Sequence, residues 1–150
     1  MNPIEDYIPH TPPMRLVEEL VKGDDAGVTT ALVITRESTF FSEELNGVPA
    51  WVGLEYMAQT AAVWTGMEDL RHQRPVELGF LVSARQYRAQ QPVFPLGERL
   101  MVTITRQFGE DAIVVFDGAI RSDSGTEFAS AHFTAYKPDD VNAYLRGEIK

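Results

Sequence analysis

Between residues 45 and 67 the chain carries a single charged side chain, Glu55, within Leu45-Asn-Gly-Val-Pro-Ala-Trp-Val-Gly-Leu-Glu55-Tyr-Met-Ala-Gln59-Thr-Ala-Ala-Val-Trp-Thr-Gly-Met67. A carboxyl so placed must reach water, find a hydrogen-bond partner or keep its proton. A kept proton is what a general acid needs, so catalysis is one reason to meet the cost. Trp51, Leu54, Met57 and Ala58 flank it, and apolar surroundings favour the protonated, donating form. Gln59 lies one helical turn further on and shares its face. It could orient the carboxylate or bond a substrate, and a plain structural hydrogen bond across a dimer fits it equally well. If a helix begins just after Pro49, the backbone N–H groups near Ala50, Trp51 and Val52 point out of its start, ready for an oxygen that gains negative charge. Every helix start has such groups, so they gain weight only from the nearby Glu55.

Composition narrows the chemistry. The sequence has no cysteine, which excludes disulfides, thiolate nucleophiles and zinc–thiolate sites. The three histidines, His10, His72 and His132, are scattered without ligand spacing, so no metal is assigned to them. His72 reads as a solvent-exposed residue trailing a helix, and His132 as part of a solvated or hydrogen-bonded strand face. A net charge of −9 argues against nucleic acid and anionic membrane as main partners. An acidic protein partner would need a local basic patch, for which Arg71, Arg74, Arg85 and Arg88 are the candidates. With 44% hydrophobic and 23% charged residues, the 150-residue sequence reads as one globular domain over residues 1–150. The acidic opening, Met1-Asn-Pro-Ile-Glu-Asp-Tyr7, has no apolar core and does not read as a secretory signal, so a cytoplasmic protein is expected. Residues 45–67 are long enough to cross a bilayer, but Asn46, Pro49, Glu55 and Gln59 would be costly in lipid, and a buried helix of a soluble core is the better reading.

The elements that must position these groups follow from pattern. Pro12-Pro13 can open a short helix over residues 15–20. Residues 23–27 read as a turn, 28–35 as a β-branched strand and 38–48 as irregular. A long helix is expected from Pro49 or Ala50 to about Arg71, apolar on every side and hence wrapped by other structure, with Gln73-Arg74-Pro75 stopping it. Four strands follow, over 77–84 with extension to 88, 99–108, 112–122 and 126–136. Leu100, Val102 and Ile104 alternate with Met101, Thr103 and Thr105, the period of a half-buried strand. Residues 109–111 and 123–125 read as hairpin turns, and the polar tail after Pro138 as a surface helix or frayed end. One helix and a largely antiparallel sheet make an α+β fold in which the sheet curls around the helix. One subunit would cover the helix incompletely, so a dimer is expected.

Three stretches carry a likeness to a known family. Pro9-His10-Thr-Pro-Pro13-Met-Arg-Leu-Val17-Glu18 resembles the opening Pro-His-Arg-x-Pro-x-Leu-Leu-Val-Asp of the β-hydroxyacyl-acyl carrier protein dehydratases of the FabA/FabZ type. Pro49-Ala-Trp-Val-Gly-Leu-Glu55-Tyr-Met-Ala-Gln59 resembles their helix motif, Pro-Gly-x-Leu-x-x-Glu-x-x-Ala-Gln. Phe80-Leu-Val-Ser-Ala-Arg85, with Gln91-Pro92-Val-Phe-Pro95-Leu-Gly97-Glu-Arg-Leu100, resembles the following strands and their proline–glycine turn. In detail the sequence is similar to the ApeP-like branch found with aryl polyene biosynthesis genes. The resemblance implies a dimeric hotdog fold and dehydration of 3-hydroxyacyl thioesters to trans-2-enoyl thioesters. It also implies no redox or metal cofactor, the substrate being carried on phosphopantetheine of acyl carrier protein or on coenzyme A.

That chemistry needs a base beside the carbonyl, an acid for the departing hydroxyl and dipoles for the thioester oxygen. By resemblance Glu55 holds the acid position, and the N–H groups at Ala50, Trp51 and Val52 face the thioester. The better-known members take their base from a Gly-His-Phe-Pro loop before the helix. Here that loop is Phe40-Phe41-Ser-Glu-Glu-Leu-Asn-Gly47-Val-Pro49 and has no histidine. His10, in a matching motif, is the candidate replacement, although a capping or backbone-bonding histidine would look the same in sequence. The side chains of Trp51, Tyr56, Met57, Trp64 and Phe80 could line an acyl channel or simply form core. Arg85 and Arg88 could meet the phosphopantetheine or an acidic carrier protein, or form a solvated strand surface. Two other readings stay open, a non-catalytic hotdog subunit supporting an active partner, and an acyl thioesterase. The partner subunit could be a second copy or a different hotdog chain.

Overall fold

A computed structural model describes residues 3–8, 13–73, 80–110 and 113–136. The long helix forms where the sequence places it. A 3₁₀ turn, Ala50–Val52, leads into α1, Gly53–Arg71. Pro49 precedes it in an extended conformation, φ −58° and ψ 144°, suiting a residue without an N–H to the edge of a helix. At the other end His72 N–H closes on the Glu68 carbonyl, and Gln73 at φ +58° turns the chain out of the helix.

Among the described residues eight strands surround it: β1 (Glu19–Asp24), β2 (Gly27–Val33), β3 (Gly47–Pro49), β4 (Phe80–Ala89), β5 (Val93–Pro95), β6 (Arg99–Glu110), β7 (Ile113–Ser122) and β8 (Glu127–Tyr136). Six make one antiparallel sheet in the order β1-β2-β6-β7-β8-β4, and β3 pairs with β5 beside the helix start. This is the α+β hotdog arrangement expected, a curled sheet holding one helix. The alternation in β6 points Leu100, Val102 and Ile104 inward, all fully buried. There they join Phe116, Ile120 and Phe133 against Tyr56, Met57 and Trp64 of α1. Trp64 meets Phe116 edge-on at 5.5 Å, and its indole N–H donates to the Asp24 carbonyl at 3.1 Å. A buried hydroxyl pair, Thr30 and Thr60 at 2.8 Å, joins sheet to helix.

One sequence expectation is corrected. Residues 15–18 are not helical. They run extended into β1, with Glu18 N–H donating to the Ala31 carbonyl at 3.0 Å and Leu16 N–H held by a side chain of α1. Tertiary partners take the backbone groups that a local helix would have used, and propensity yields to them. As expected, this one chain covers α1 incompletely. Trp51 and Glu55 are exposed, and Leu54, Ala58 and Ala62 partly so, giving one uncovered stripe along the helix. The expected strand at 77–84 is found from residue 80, residues 74–79 and the tail after Pro138 lying outside the described residues.

The start of the chain crosses the helix as a strap. Ile4, Tyr7 and Ile8 are buried, and the strap passes so close that a Cβ on Gly66 would stand 1.8 Å from the Tyr7 carbonyl oxygen. Only glycine permits that approach. Residues 13–16 then run over the other end of α1, where Glu55 and Gln59 sit.

Candidate active site

Gln59 is the hub of this end. Its residue is 2% exposed, and every polar atom of its side chain is used. Oε1 accepts the Leu16 N–H at 2.7 Å, while Nε2 donates to the Met14 carbonyl at 2.8 Å and to Glu55 Oε1 at 3.1 Å. A primary amide has two N–H donors, both spent here, and one oxygen, which accepts here from Leu16. The sequence left Gln59 between orienting a carboxylate and structural bonding. Within one chain it does both, pinning the strap and fixing one oxygen of Glu55.

Glu55 itself differs from the expectation. Its carboxyl is exposed in the single chain rather than enclosed by Trp51, Leu54, Met57 and Ala58. Met57 turns into the core on the far side of α1, whereas Trp51 is 63% exposed. Positions 51, 54, 55 and 58 share the uncovered stripe because helical spacing places them on one face. Phe40, also exposed, meets Trp51 edge-on at 5.3 Å, and exposed Met14 lies on the pinned strap. An acid is thus set among large apolar side chains that none of the described residues covers.

The helix start also departs in part from expectation. Ala50 N–H is not available, because it donates to the Pro92 carbonyl at 3.0 Å in continuation of the β3–β5 pairing. The 3₁₀ turn folds Val52 N–H back toward the Pro49 carbonyl. Trp51 N–H remains as the first-turn donor, and no side chain caps the turn. The Ala50 carbonyl accepts from Gly53 N–H and from the Tyr87 hydroxyl. Burial pushes the Tyr87 phenol up to about 12. Sequence reasoning missed Tyr87 because a regular strand alternation does not tell that it turns toward the helix.

A cavity of about 360 Å³ lies beside the strap, walled by Pro13, Leu16, Val17, Leu32 and Tyr56 among others. Burial raises the Tyr56 phenol well above its ordinary range, with Glu18 adding to the shift. Glu55 is not among the walls of this cavity. Tyr56, Met57 and Trp64 belong to the core, Tyr56 also facing this cavity, and of the described candidate channel residues Trp51 is the one exposed at the surface. His10 and Arg74 lie outside the described residues, as do the side chains of Phe80 and Arg85. His72 is exposed beside Glu68, and His132 pairs with Asp117 on the outer sheet face, both as expected. Arg71 pairs with Glu68 at 2.6 Å, and Arg88 stands on the outer face near Arg121. Among the described residues no group of three or more His, Cys, Asp or Glu could hold a metal, and no helix is long and apolar enough to cross a membrane.

Comparison with known proteins gives the family. The model of the ApeP-like family, ApeP dehydratase, matches residues 2–146. The chain belongs to the ApeP-like dehydratases. Curated relatives of this ApeP-like chain include the 3-hydroxyacyl-[acyl-carrier-protein] dehydratase FabZ of Anaeromyxobacter dehalogenans strain 2CP-C, 31% identical over 91% of this chain and 88% of the relative. The same enzyme of Anaeromyxobacter sp. strain K is 30% identical over the same shares. Among solved structures, the dehydratase heterocomplex ApeI:P from Xenorhabdus doucetiae matches with a TM-score of 0.89 and 26% identity, covering 100% of this chain and 99% of that one. The E. coli PaaI protein from the phenylacetic acid degradation operon matches at TM-score 0.63 and 11% identity over 79% and 81%, a likeness of fold alone. The hotdog fold and the ApeP-like branch read from the three motifs are therefore both correct.

Proposed function

We propose that this ApeP-like chain dehydrates 3-hydroxyacyl thioesters to trans-2-enoyl thioesters, with the acyl group carried on the phosphopantetheine of acyl carrier protein, or on coenzyme A as the alternative carrier. The observation that carries the reading is the hydrogen bond from buried Gln59 to Glu55, which stands on the uncovered stripe of α1 one turn from the Trp51 N–H. Gln59 donates to Oε1 of Glu55, which marks that oxygen as an acceptor and leaves Oε2 to hold the transferable proton. A base, for which His10 is the candidate, removes the proton next to the thioester carbonyl. The freed electron pair closes the C=C bond, the C–O bond to the 3-hydroxyl breaks, and the Glu55 proton leaves with that hydroxyl as water. Trp51 N–H receives the charge that gathers on the thioester oxygen, a role in which one backbone donor is commonly worth about 10²–10³ in rate. Ala50 and Val52 shape the turn rather than donate.

The exposure of Trp51, Phe40, Met14 and Glu55 calls for a second hotdog subunit over this stripe. It would exclude water from the acid and supply the remaining wall for the acyl group. A second copy and a different hotdog chain are both compatible with the surface, and a heterocomplex is the state in which the similar ApeI:P protein was solved. The absence of a histidine from residues 40–49 favours a second reading, in which this chain supports an active partner without turning over substrate itself.

Incubation of the purified chain with 3-hydroxybutyryl thioester, following enoyl absorbance and free thiol together, separates the readings. Enoyl formation that Glu55→Gln abolishes supports the dehydratase. Turnover only after adding a hotdog partner, unaffected by Glu55→Gln, supports the accessory subunit. Free thiol without enoyl product would mean a thioesterase and overturn both.

A further inference from the structure

Three features meet at one half-buried hydroxyl, that of Tyr87. Register in the β4–β8 pair slips between Arg85 and Arg88, and Gln86 at the slip has φ +57°, a left-handed conformation uncommon for a residue with a side chain. The bulge turns Tyr87 off the regular alternation and in toward the start of the helix. Gly53 supplies the room, since a Cβ there would stand 2.2 Å from the Tyr87 hydroxyl and 2.9 Å from Phe94. The hydroxyl then donates to the Ala50 carbonyl. A strained bulge, a side-chain-free slot and a half-buried donor spent on one peptide bond are a costly combination for mere packing, for which phenylalanine would serve.

The accepting carbonyl belongs to the peptide unit whose N–H is that of Trp51. In a planar trans peptide these two groups point in opposite directions, so whatever fixes one fixes the other. The carbonyl already accepts from Gly53 N–H, and Tyr87 adds a second donor. Hydrogen bonding at a carbonyl draws electron density toward its oxygen and makes the N–H across the same peptide a stronger donor, by an amount on the order of 10–30% per bond. The Ala50 N–H bond to Pro92 anchors the preceding peptide, so the turn is held on both sides.

We propose that Tyr87 is a positioning residue, which aims and polarises the Trp51 N–H so that it meets the thioester oxygen already preorganised. The role rests on the dehydratase reading above. Tyr87 does not touch substrate. It acts through the Ala50–Trp51 peptide alone.

The test is Tyr87→Phe, which keeps the ring and removes only the hydroxyl. In the full-length chain the Trp51 amide ¹H and ¹⁵N resonances should move upfield, while core amides such as Val102 keep theirs. With 3-hydroxybutyryl thioester, kcat should fall about 10-fold at a KM within about twofold of the parent, since the donor's strength counts most where charge develops. Unmoved Trp51 resonances overturn the assignment. So does an unchanged kcat in a parent that turns over. A loss confined to KM would mean a wall of the binding site and would also overturn it. Should the parent not dehydrate the thioester, the functional reading fails instead, and the Trp51 resonances still decide whether Tyr87 acts on this peptide.

Discussion

Replacing Gln59 with leucine removes the hub while nearly keeping its volume. Three hydrogen bonds are lost, to Leu16 N–H, Met14 carbonyl and Glu55 Oε1. The bond to exposed Glu55 adds little to folding stability, because water replaces it. The two strap bonds are partly buried, and their orphaned backbone groups have to be desolvated or released, at roughly 1 kcal/mol or somewhat more each. Gln59→Leu should therefore cost about 2–3 kcal/mol. At about 2–4 °C per kcal/mol for a chain of this size, the melting temperature should fall by roughly 4–12 °C. The loss is local before it is global. Glu18 N–H keeps its bond to the Ala31 carbonyl, so the strap should open only up to that point. Amide hydrogen exchange followed by NMR reads this directly. Leu16 should lose its protection, Glu18 should retain it, and the strand amides of β6 should change only as far as global stability does. A Leu16 amide still protected in the variant, with melting within a degree of the parent, would refute the claim that Gln59 holds the strap.

Gly66→Ala places a methyl group 1.8 Å from the Tyr7 carbonyl oxygen, so residues 3–8 must lift from the helix. A loss of about 2–4 kcal/mol, seen in urea unfolding with little change of slope, is expected, and a loss under about 0.5 kcal/mol would show that the strap yields freely. His10→Ala should cut dehydration by at least about 10²-fold while leaving the melting temperature unchanged, and normal turnover would remove His10 from the mechanism.

The elements that were legible in the sequence are those with internal punctuation or a strict period. Pro49 and the polar run after Leu70 bracket α1, and the alternation from Leu100 to Thr105 defines β6 together with its buried face. What sequence hid was decided by partners distant along the chain. Residues 15–20 look helical locally, yet Gln59 and Ala31 bind their backbone and draw them into an extended path. Strands β3 and β5, three residues each, are too short to show any period. At the candidate site, spacing could bring Glu55 and Gln59 together, and it could not tell that Glu55 is exposed while Gln59 is buried. The helix is apolar almost all round, so its sequence does not say which apolar side meets the sheet and which is left open. Tyr87 was invisible for a related reason, since a one-residue bulge reverses the side to which a strand residue points.

The strap also has a consequence for the order of assembly. Met14 and Leu16 are bonded to a residue 45 and 43 positions later, so their segment is secured only after α1 exists. Closing such a span is entropically slower than closing the hairpins of β6, β7 and β8. Any change that weakens these two bonds would act on this late step, and its signature would be a nearly intact sheet around a carboxylate that had lost its amide companion.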